Sequence, residues 1–382
     1  MTAPNKTSSM FGAQAPAFEP GQAAYSSAQE SDGLLSPDQI IKQYLEKHLD
    51  VYGELRRGWE NPQGDIHFQK RLEKVDQSQK NPRGRRDLFR IMLQIADQID
   101  EATSAFTISR PKDPDVRAAI LDLCMAPGGF AFSALKRSPF AKLCGIALPP
   151  ELGGFEMVMR KWNKDKRVSV HFGDITMLVG EMGFDVPAGH VDAGIFSEEK
   201  IFEGQKFDLV LCDGQILRNQ PRSEYREPRE ARRLTASQLV FAMQHIREGG
   251  TLVQLFKPKP MQAKQSSFYM VAKGVRSDSN TALRAVAEWK EIWAEATFTS
   301  EALRGNNEAV DTGDSIDDEI WMERKGKGGD KALAVLDEFG PTLLKMAEPV
   351  IAIQAAALRS VACYEGLGTK ENQGLAVKQV TM

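Results

Sequence analysis

The chain has 382 residues, with 49 basic against 52 acidic side chains and a formal net charge of −3. That balance excludes a globally basic nucleic-acid binder but not a local basic patch. Hydrophobic residues at 42% and charged residues at 26% suit a globular core, and four cysteines without CxxC spacing exclude a disulfide scaffold.

The cysteines Cys124, Cys144, Cys212 and Cys363 read as reduced thiols, and the five histidines form no paired ligand motif, so no metal site is expected. The longest mostly apolar stretch, Pro349 to Leu358, is too short to span a bilayer, which needs about 20 residues. The N-terminus lacks the basic-then-apolar pattern of a secretory signal. The expectation is a cytoplasmic or nuclear protein with no membrane partner.

Residues 1–35 are rich in Ala, Pro, Ser, Gln and Gly and read as a disordered tail. Residues 36–82 form a helical extension. Ser36-Pro37-Asp38-Gln39 is a helix start, and Ile41, Tyr44, Leu45, His48, Tyr52 and Leu55 recur at helical spacing. His48 reads as a packing residue at the stripe edge. A basic stretch with Arg83, Arg85, Arg86 and Arg90 leads into a helix whose apolar face is Leu88, Ile91, Met92, Ile95 and Ile99.

Strand and helix then alternate. Strands are predicted at 118–124, 143–148, 168–172, 207–212 and 251–256, and a helix with Leu239, Ala242, Met243 and Ile246 on one face stops at Gly249-Gly250. Residues 182–205 read as a surface insertion. Glu319-Ile-Trp-Met322 reads as a late strand, and a Gly-Lys-Gly-Gly linker at 326–329 opens a helical C-terminal extension, 326–382, ending in a loose tail. Within it, one helix stops at Gly340-Pro341 and a second covers 342–362. The fold class is therefore α/β: a mostly parallel, doubly wound sheet with helical N- and C-terminal extensions.

The sharpest local signal is Leu121-Asp-Leu-Cys-Met-Ala-Pro-Gly-Gly-Phe130, a buried strand running into a double-glycine turn and a helix. Glycines there let a ligand approach the backbone, and the helix start offers free N–H groups. An ordinary tight strand-to-helix turn has the same residues. The pattern is not GxGxxG, which counts against a nicotinamide or flavin cofactor.

Asp122-Leu-Cys-Met-Ala-Pro-Gly-Gly-Phe130 resembles the first motif of the FtsJ-like RNA ribose 2′-O-methyltransferases, a family that includes cap-ribose methyltransferases. Gly173-Asp-Ile-Thr176, Phe207-Asp-Leu-Val-Leu-Cys-Asp213-Gly and Leu234 to Phe256 resemble three further family motifs in the family's order. The resemblance implies a Rossmann-like methyltransferase domain over 83–325. It implies S-adenosylmethionine as cofactor, held by Ala126, Pro127, Gly128, Gly129, Phe130, Asp174 and Ile175. Asp174 would accept a hydrogen bond from the adenine amino group.

By the same resemblance, catalysis rests on a Lys-Asp-Lys-Glu tetrad. Asp213 matches the aspartate, although a turn residue before Gly214 would look the same. Glu319 in Asp-Asp-Glu-Ile-Trp resembles the family's Ser-x-Glu-x-Tyr element, and an exposed acid at a strand start is the alternative. Leu255 stands where the family's second lysine belongs. Lys257, two residues on, keeps the same strand face but sits about 6–7 Å further along; Lys259 is the alternative, and a pair of solvated lysines the plain one. Arg90 takes the first lysine's place, facing either the cleft or solvent, and it keeps the charge without titrating. Ile146 stands where an acid often holds the cofactor ribose, with Glu151 as a substitute.

The segment 218–233 carries six arginines. Beside the strand ends, Arg218, Arg222, Arg226 and Arg229 would contact RNA phosphates and Tyr225 would stack on a base. A salt-bridged loop is the alternative. Three readings follow: an RNA ribose methyltransferase, a catalytically impaired FtsJ-like protein that binds RNA or a protein partner through its terminal helical regions, and a methyltransferase of small hydroxyl compounds.

Overall fold

The structure is a computed structural model that describes residue 35 and residues 37–59, 81–110, 117–216, 220–256, 268–304 and 315–364. Its helices are α1 (Pro37–His48), α2 (Asp50–Trp59), α3 (Pro82–Thr103), α4 (Gly129–Arg137), α5 (Val179–Met182), α6 (Glu230–His245), α7 (Asn280–Thr297), α8 (Ser300–Arg304) and α9 (Ser315–Tyr364). Its strands are β1 (Ala119–Leu123), β2 (Lys142–Ala147), β3 (Val168–Phe172), β4 (Phe207–Cys212), β5 (Ile246–Phe256) and β6 (Phe268–Val275). No helix among the described residues is long and apolar enough to cross a membrane. The expected tail at 1–35 lies almost wholly outside the described residues.

Contacts group the chain into two compact units, residues 1–50 with 313–348 and residues 51–312 with 349–382. In the first unit α1 packs on α9. A side chain added at Gly329 would meet the Leu35 carbonyl at 3.0 Å and Ile40 at 3.3 Å, and one added at Gly340 would overlap the Tyr44 ring. The two glycines lie three helical turns apart on one face, so α1 approaches α9 along a strip without side chains. This overturns the expected linker at 326–329 and the stop at Gly340-Pro341: α9 runs unbroken through both. Glycine costs about 1 kcal/mol and proline about 3 kcal/mol inside a helix, which is why the sequence alone reads as a break. The expected strand at 319–322 is likewise helix, so Glu319 lies on α9 in the first unit rather than on a strand of the sheet.

The second unit is built on one six-stranded sheet of order β3-β2-β1-β4-β5-β6. All neighbours are parallel except β5 and β6. Both faces are covered. One carries α3 and α4, where Met92, Ala96, Phe130 and Ala134 pack on Ile120, Leu143, Leu209 and Val253. The other carries α5, α6 and α7, where Val179, Phe241 and Trp293 pack on Leu121, Leu123, Ile146 and Val210. The predicted doubly wound α/β class is what the chain forms.

Two boundaries differ from expectation. α6 ends at His245 and Ile246 opens β5, so Gly249-Gly250 lies inside a strand instead of capping a helix. β5 advances from Ile246 to Thr251 while β4 advances only from Phe207 to Leu209. Gly249, with φ of +81°, absorbs that bulge. The segment 182–205 is mostly exposed, as expected of a surface insertion, but it is anchored by Phe202, 5% exposed, His190, 3% exposed, and buried Asp192, which is bonded to Ser223 and Tyr225.

Candidate active site

β1 and β4 are adjacent and their following chains leave in opposite directions, so the crevice of this sheet lies at their carboxyl ends. Asp122 pairs in register with Leu211, and the β1 turn continues through Cys124 (φ +68°) to Gly128 (φ +97°). Only glycine adopts the Gly128 conformation without strain. A Cβ there would also stand 2.9 Å from the Met159 side chain and 3.0 Å from the Met157 sulfur. The loop carrying those methionines is pinned to the turn, because the Val158 and Met159 N–H groups both donate to the Pro127 carbonyl, at 3.0 and 3.2 Å. Arg85 of α3 joins the same loop through Glu156 at 2.8 Å. Gly129 faces the other way. Its Cβ would overlap Met92 and lie 2.9 Å from the Phe89 carbonyl, so this glycine lets α3 cross the start of α4. Phe130 is 2% exposed, ringed by Phe106 and Tyr269 at centroid distances of 5.9 and 5.7 Å.

Asp213 follows β4 directly and accepts a hydrogen bond from the Tyr269 hydroxyl at 3.1 Å. Cys212 is level with Gln254, and Leu255 pairs with Tyr269. Position 255 therefore lies level with Asp213 on the adjacent strand, and Tyr269 reaches the carboxylate from one strand further out. Burial and the Asp213 charge push the Tyr269 phenol well above its ordinary value, so it stays a donor. On β1, Asp122 is 1% exposed, and its Oδ2 has no hydrogen-bond partner among the described residues. Burial and the neighbouring Asp213 raise this carboxyl far above the usual range, although the Ala131 N–H opposes the shift.

After β3, Asp174 opens a short 3₁₀ turn. Its Oδ1 accepts from the Thr176 N–H at 3.0 Å and the Thr176 hydroxyl at 2.8 Å. Its Oδ2 accepts from Arg226 at 2.7 Å and Gln220 at 2.8 Å. Arg226 also donates twice to Glu230, which accepts from Arg233 in turn. Burial alone would raise the Asp174 carboxyl, but the Arg226 charge and the hydrogen bonds outweigh it and hold the group below the usual range.

The FtsJ-like methyltransferase family profile matches residues 97–281, just under half of the chain. Over these residues the chain matches an FtsJ-like methyltransferase domain. No curated protein matches the sequence. Among solved structures, a Plasmodium falciparum protein assigned as a ribosomal RNA methyltransferase is 16% identical, with a TM-score of 0.28, covering 48% of this chain and 95% of that one. The S-adenosylmethionine-bound amino pentose methyltransferase CalS10 of Micromonospora echinaspora is 17% identical, with a TM-score of 0.24, covering 56% of this chain and 58% of that one. TrmN of Thermus thermophilus is 15% identical, with a TM-score of 0.26, covering 49% and 45%.

The FtsJ-like domain implies S-adenosylmethionine, and its residues fit that molecule at one end only. At the methionine end, Asp122 offers an unpartnered buried oxygen beside the Gly128 turn. At the nucleoside end, both Asp174 oxygens already hold protein donors, two of them from Arg226 and Gln220. Ile146, at the ribose position, is 1% exposed in the core, and Glu151 stands beyond it in a 3₁₀ turn. The nucleoside half does not fit.

The remaining sequence candidates in the FtsJ-like domain fall in three groups. Lys257, Lys259 and Arg218 lie outside the described residues. Arg90 is on the solvent side of α3, its side chain 69% exposed and bonded to Asp87 at 3.1 Å, so it does not face the crevice. The arginines of the loop before α6 point mostly inward. The Arg222 side chain is 4% exposed and bonded to Glu227, Arg226 is 2% exposed, and Arg229 donates to the Tyr225 carbonyl. Tyr225 does not offer its ring to a base: it is buried against His190 with its hydroxyl on Asp192. Three acids close to these arginines explain why: ion pairs close over the segment before any external phosphate can. Tyr269 was not a candidate from sequence. The available signal was Tyr269 near the start of an alternating strand, followed by Met270 and Val271.

Proposed function

We propose that this FtsJ-like domain has lost efficient methyl transfer and works as a binding protein, the nucleoside half of its cofactor site being filled from within. The buried Asp174–Arg226 pair at 2.7 Å carries this reading. Both Asp174 oxygens are engaged by protein donors, so an adenine amino group would have to displace Gln220 or break the Arg226 ion pair, leaving Arg226 to Glu230 alone. Leu255, level with Asp213, supports it, because leucine supplies no cation to a ribose hydroxyl. Calorimetric titration with S-adenosylmethionine and S-adenosylhomocysteine tests it. We expect no saturable heat up to about 1 mM, that is, binding weaker than about 4 kcal/mol; low-micromolar binding of either overturns the reading.

A second reading is an S-adenosylmethionine-dependent RNA ribose 2′-O-methyltransferase. The Tyr269–Asp213 bond favours it, since Asp213 is held at the strand end where the family's aspartate acts. Lys257, two positions beyond Leu255, would then stand nearest the acceptor hydroxyl with Asp213 as its partner. RNA would meet the exposed side of α3, where Arg83 and Arg86 face solvent. Methyl transfer into an RNA pool, cut at least about hundredfold by Lys257→Met, would support it. Replacing Arg83 and Arg86 with alanine would lower the salt slope of RNA binding by about 0.7 per lost phosphate contact. Absence of transfer to any RNA returns the case to the binding protein.

A further inference from the structure

Helix α9 turns one face to α1 and leaves another bare. Gly329 and Gly340 meet α1, and Leu336 between them is 7% exposed. About 110° round the helix from that strip, Val335, Phe339, Thr342 and Met346 recur every three or four residues and form one stripe. Its apolar side chains are open: Val335 is 58% exposed, Phe339 43% and Met346 56%. An apolar stripe left in water in this way marks a surface that another surface takes.

The flanks of the stripe say which surface. In paired helices the residues just before Phe339 and Met346 border the seam on one side, and these are Glu338 and Lys345, both exposed. The other border is Leu336 and Leu343, buried and half-buried. Charge therefore lies on one flank only, with the acid nearer the N-terminal end and the base nearer the C-terminal end. Turned end for end, the stripe matches itself. A two-fold axis at the level of Gly340 and Pro341 sets Val335 opposite Met346 and Phe339 opposite Thr342. It also brings each Glu338 within about 3 Å, along the helix, of Lys345 in the other copy. A parallel pairing would instead set Glu338 level with Glu338 and Lys345 level with Lys345. Pro341 projects about 100° from Thr342, off the seam.

We propose that this stripe pairs α9 with a second copy of the chain, antiparallel and two-fold symmetric, as a reversible dimer. The stripe spans about 16 Å, or three turns. That length buries less than the roughly 1,600 Å² of a standard stable interface, so the dimer forms at micromolar rather than nanomolar concentration. It uses no residue of the crevice at the strand ends, so it stands or falls apart from the proposed function.

The test is sedimentation equilibrium of the full chain from about 1 to about 300 µM. The apparent mass should rise toward that of two chains over this range. Phe339→Glu and Val335→Glu, both at exposed positions, should each weaken association at least about tenfold. Glu338→Lys sets lysine against lysine and Lys345→Glu sets acid against acid, and each should weaken it at least about fivefold. Both changes together exchange the charges and should return association to within about twofold of wild type. A chain that stays monomeric throughout, its stripe covered by its own N-terminal segment or by a different protein, overturns the proposal. So does association that Phe339→Glu and Val335→Glu leave unchanged, which puts the contact elsewhere, or a double charge variant no tighter than the single ones.

Discussion

The Tyr269 hydroxyl and the Asp213 carboxylate meet at 3.1 Å across the strand that carries Leu255. The bond joins the antiparallel edge strand to the end of β4, and the same ring packs edge-on against Phe130 behind the glycine turn. Tyr269→Phe keeps that ring packing and deletes one donor to a half-buried charged group. We expect a loss of about 1 kcal/mol in urea unfolding. A change below about 0.3 kcal/mol would show that the bond contributes nothing measurable.

The Asp174 network gives a second prediction. Arg226→Met takes the cation from Asp174 and leaves Glu230 with Arg233 alone, and should cost about 3–5 kcal/mol. Asp174→Asn in the same background should cost much less than it does alone, because the two residues act as a pair. Additive losses in a double-mutant cycle would break the pairing.

The pH dependence of Asp174 follows from its lowered carboxyl. Stability from this group is fully present above the unfolded value of about 3.9. It is lost as pH falls through the folded value, which lies lower. Unfolding of the wild type should therefore become easier below about pH 4, and Asp174→Asn should flatten that part of the profile.

Asp122 predicts the opposite sign. Its folded value is raised, so between about pH 3.9 and that value the folded state holds a proton that the unfolded state has released. Asp122 thus costs stability as pH rises. Asp122→Asn keeps the shape and the acceptor for the Ala131 N–H. It should stabilise the protein at pH 7.5, and the gain should vanish at about pH 3.5. A gain that does not change with pH would refute the burial argument.

At Gly129 the prediction concerns packing rather than cofactor. Gly129→Ala pushes a Cβ into Met92 and the Phe89 carbonyl, both on α3. Backbone on one side cannot swing away, so we expect a loss of about 1–3 kcal/mol. Chemical denaturation that leaves the variant within about 0.5 kcal/mol of wild type would mean α3 sits further off.

The sheet was readable because its buried strand Phe207–Cys212 is a mostly apolar run and its edge strand Val168–Phe172 alternates apolar and polar residues; the predicted limits of both are those of the structure. α9 was not readable: glycines that normally end helices here make room for Tyr44 and Ile40, a contact between segments nearly 300 residues apart. The site was half readable. Position does mark Asp213 and the Gly128 turn, because both follow strands. Charge pattern misled at 218–233, since the acids that neutralise Arg226 and Arg222 include Asp174, which is distant in sequence. Tyr269 escaped notice because its meaning depends on the register of β6 against β5.

One carbonyl, that of Pro127, takes both the Val158 and the Met159 amides. The loop after β2 and the turn after β1 are therefore tied at one point: a fluctuation that lifts the whole loop off Gly128 releases both protons. Hydrogen exchange at those two positions should show a single opening free energy, and whatever enters the crevice past Gly128 waits on that shared clock.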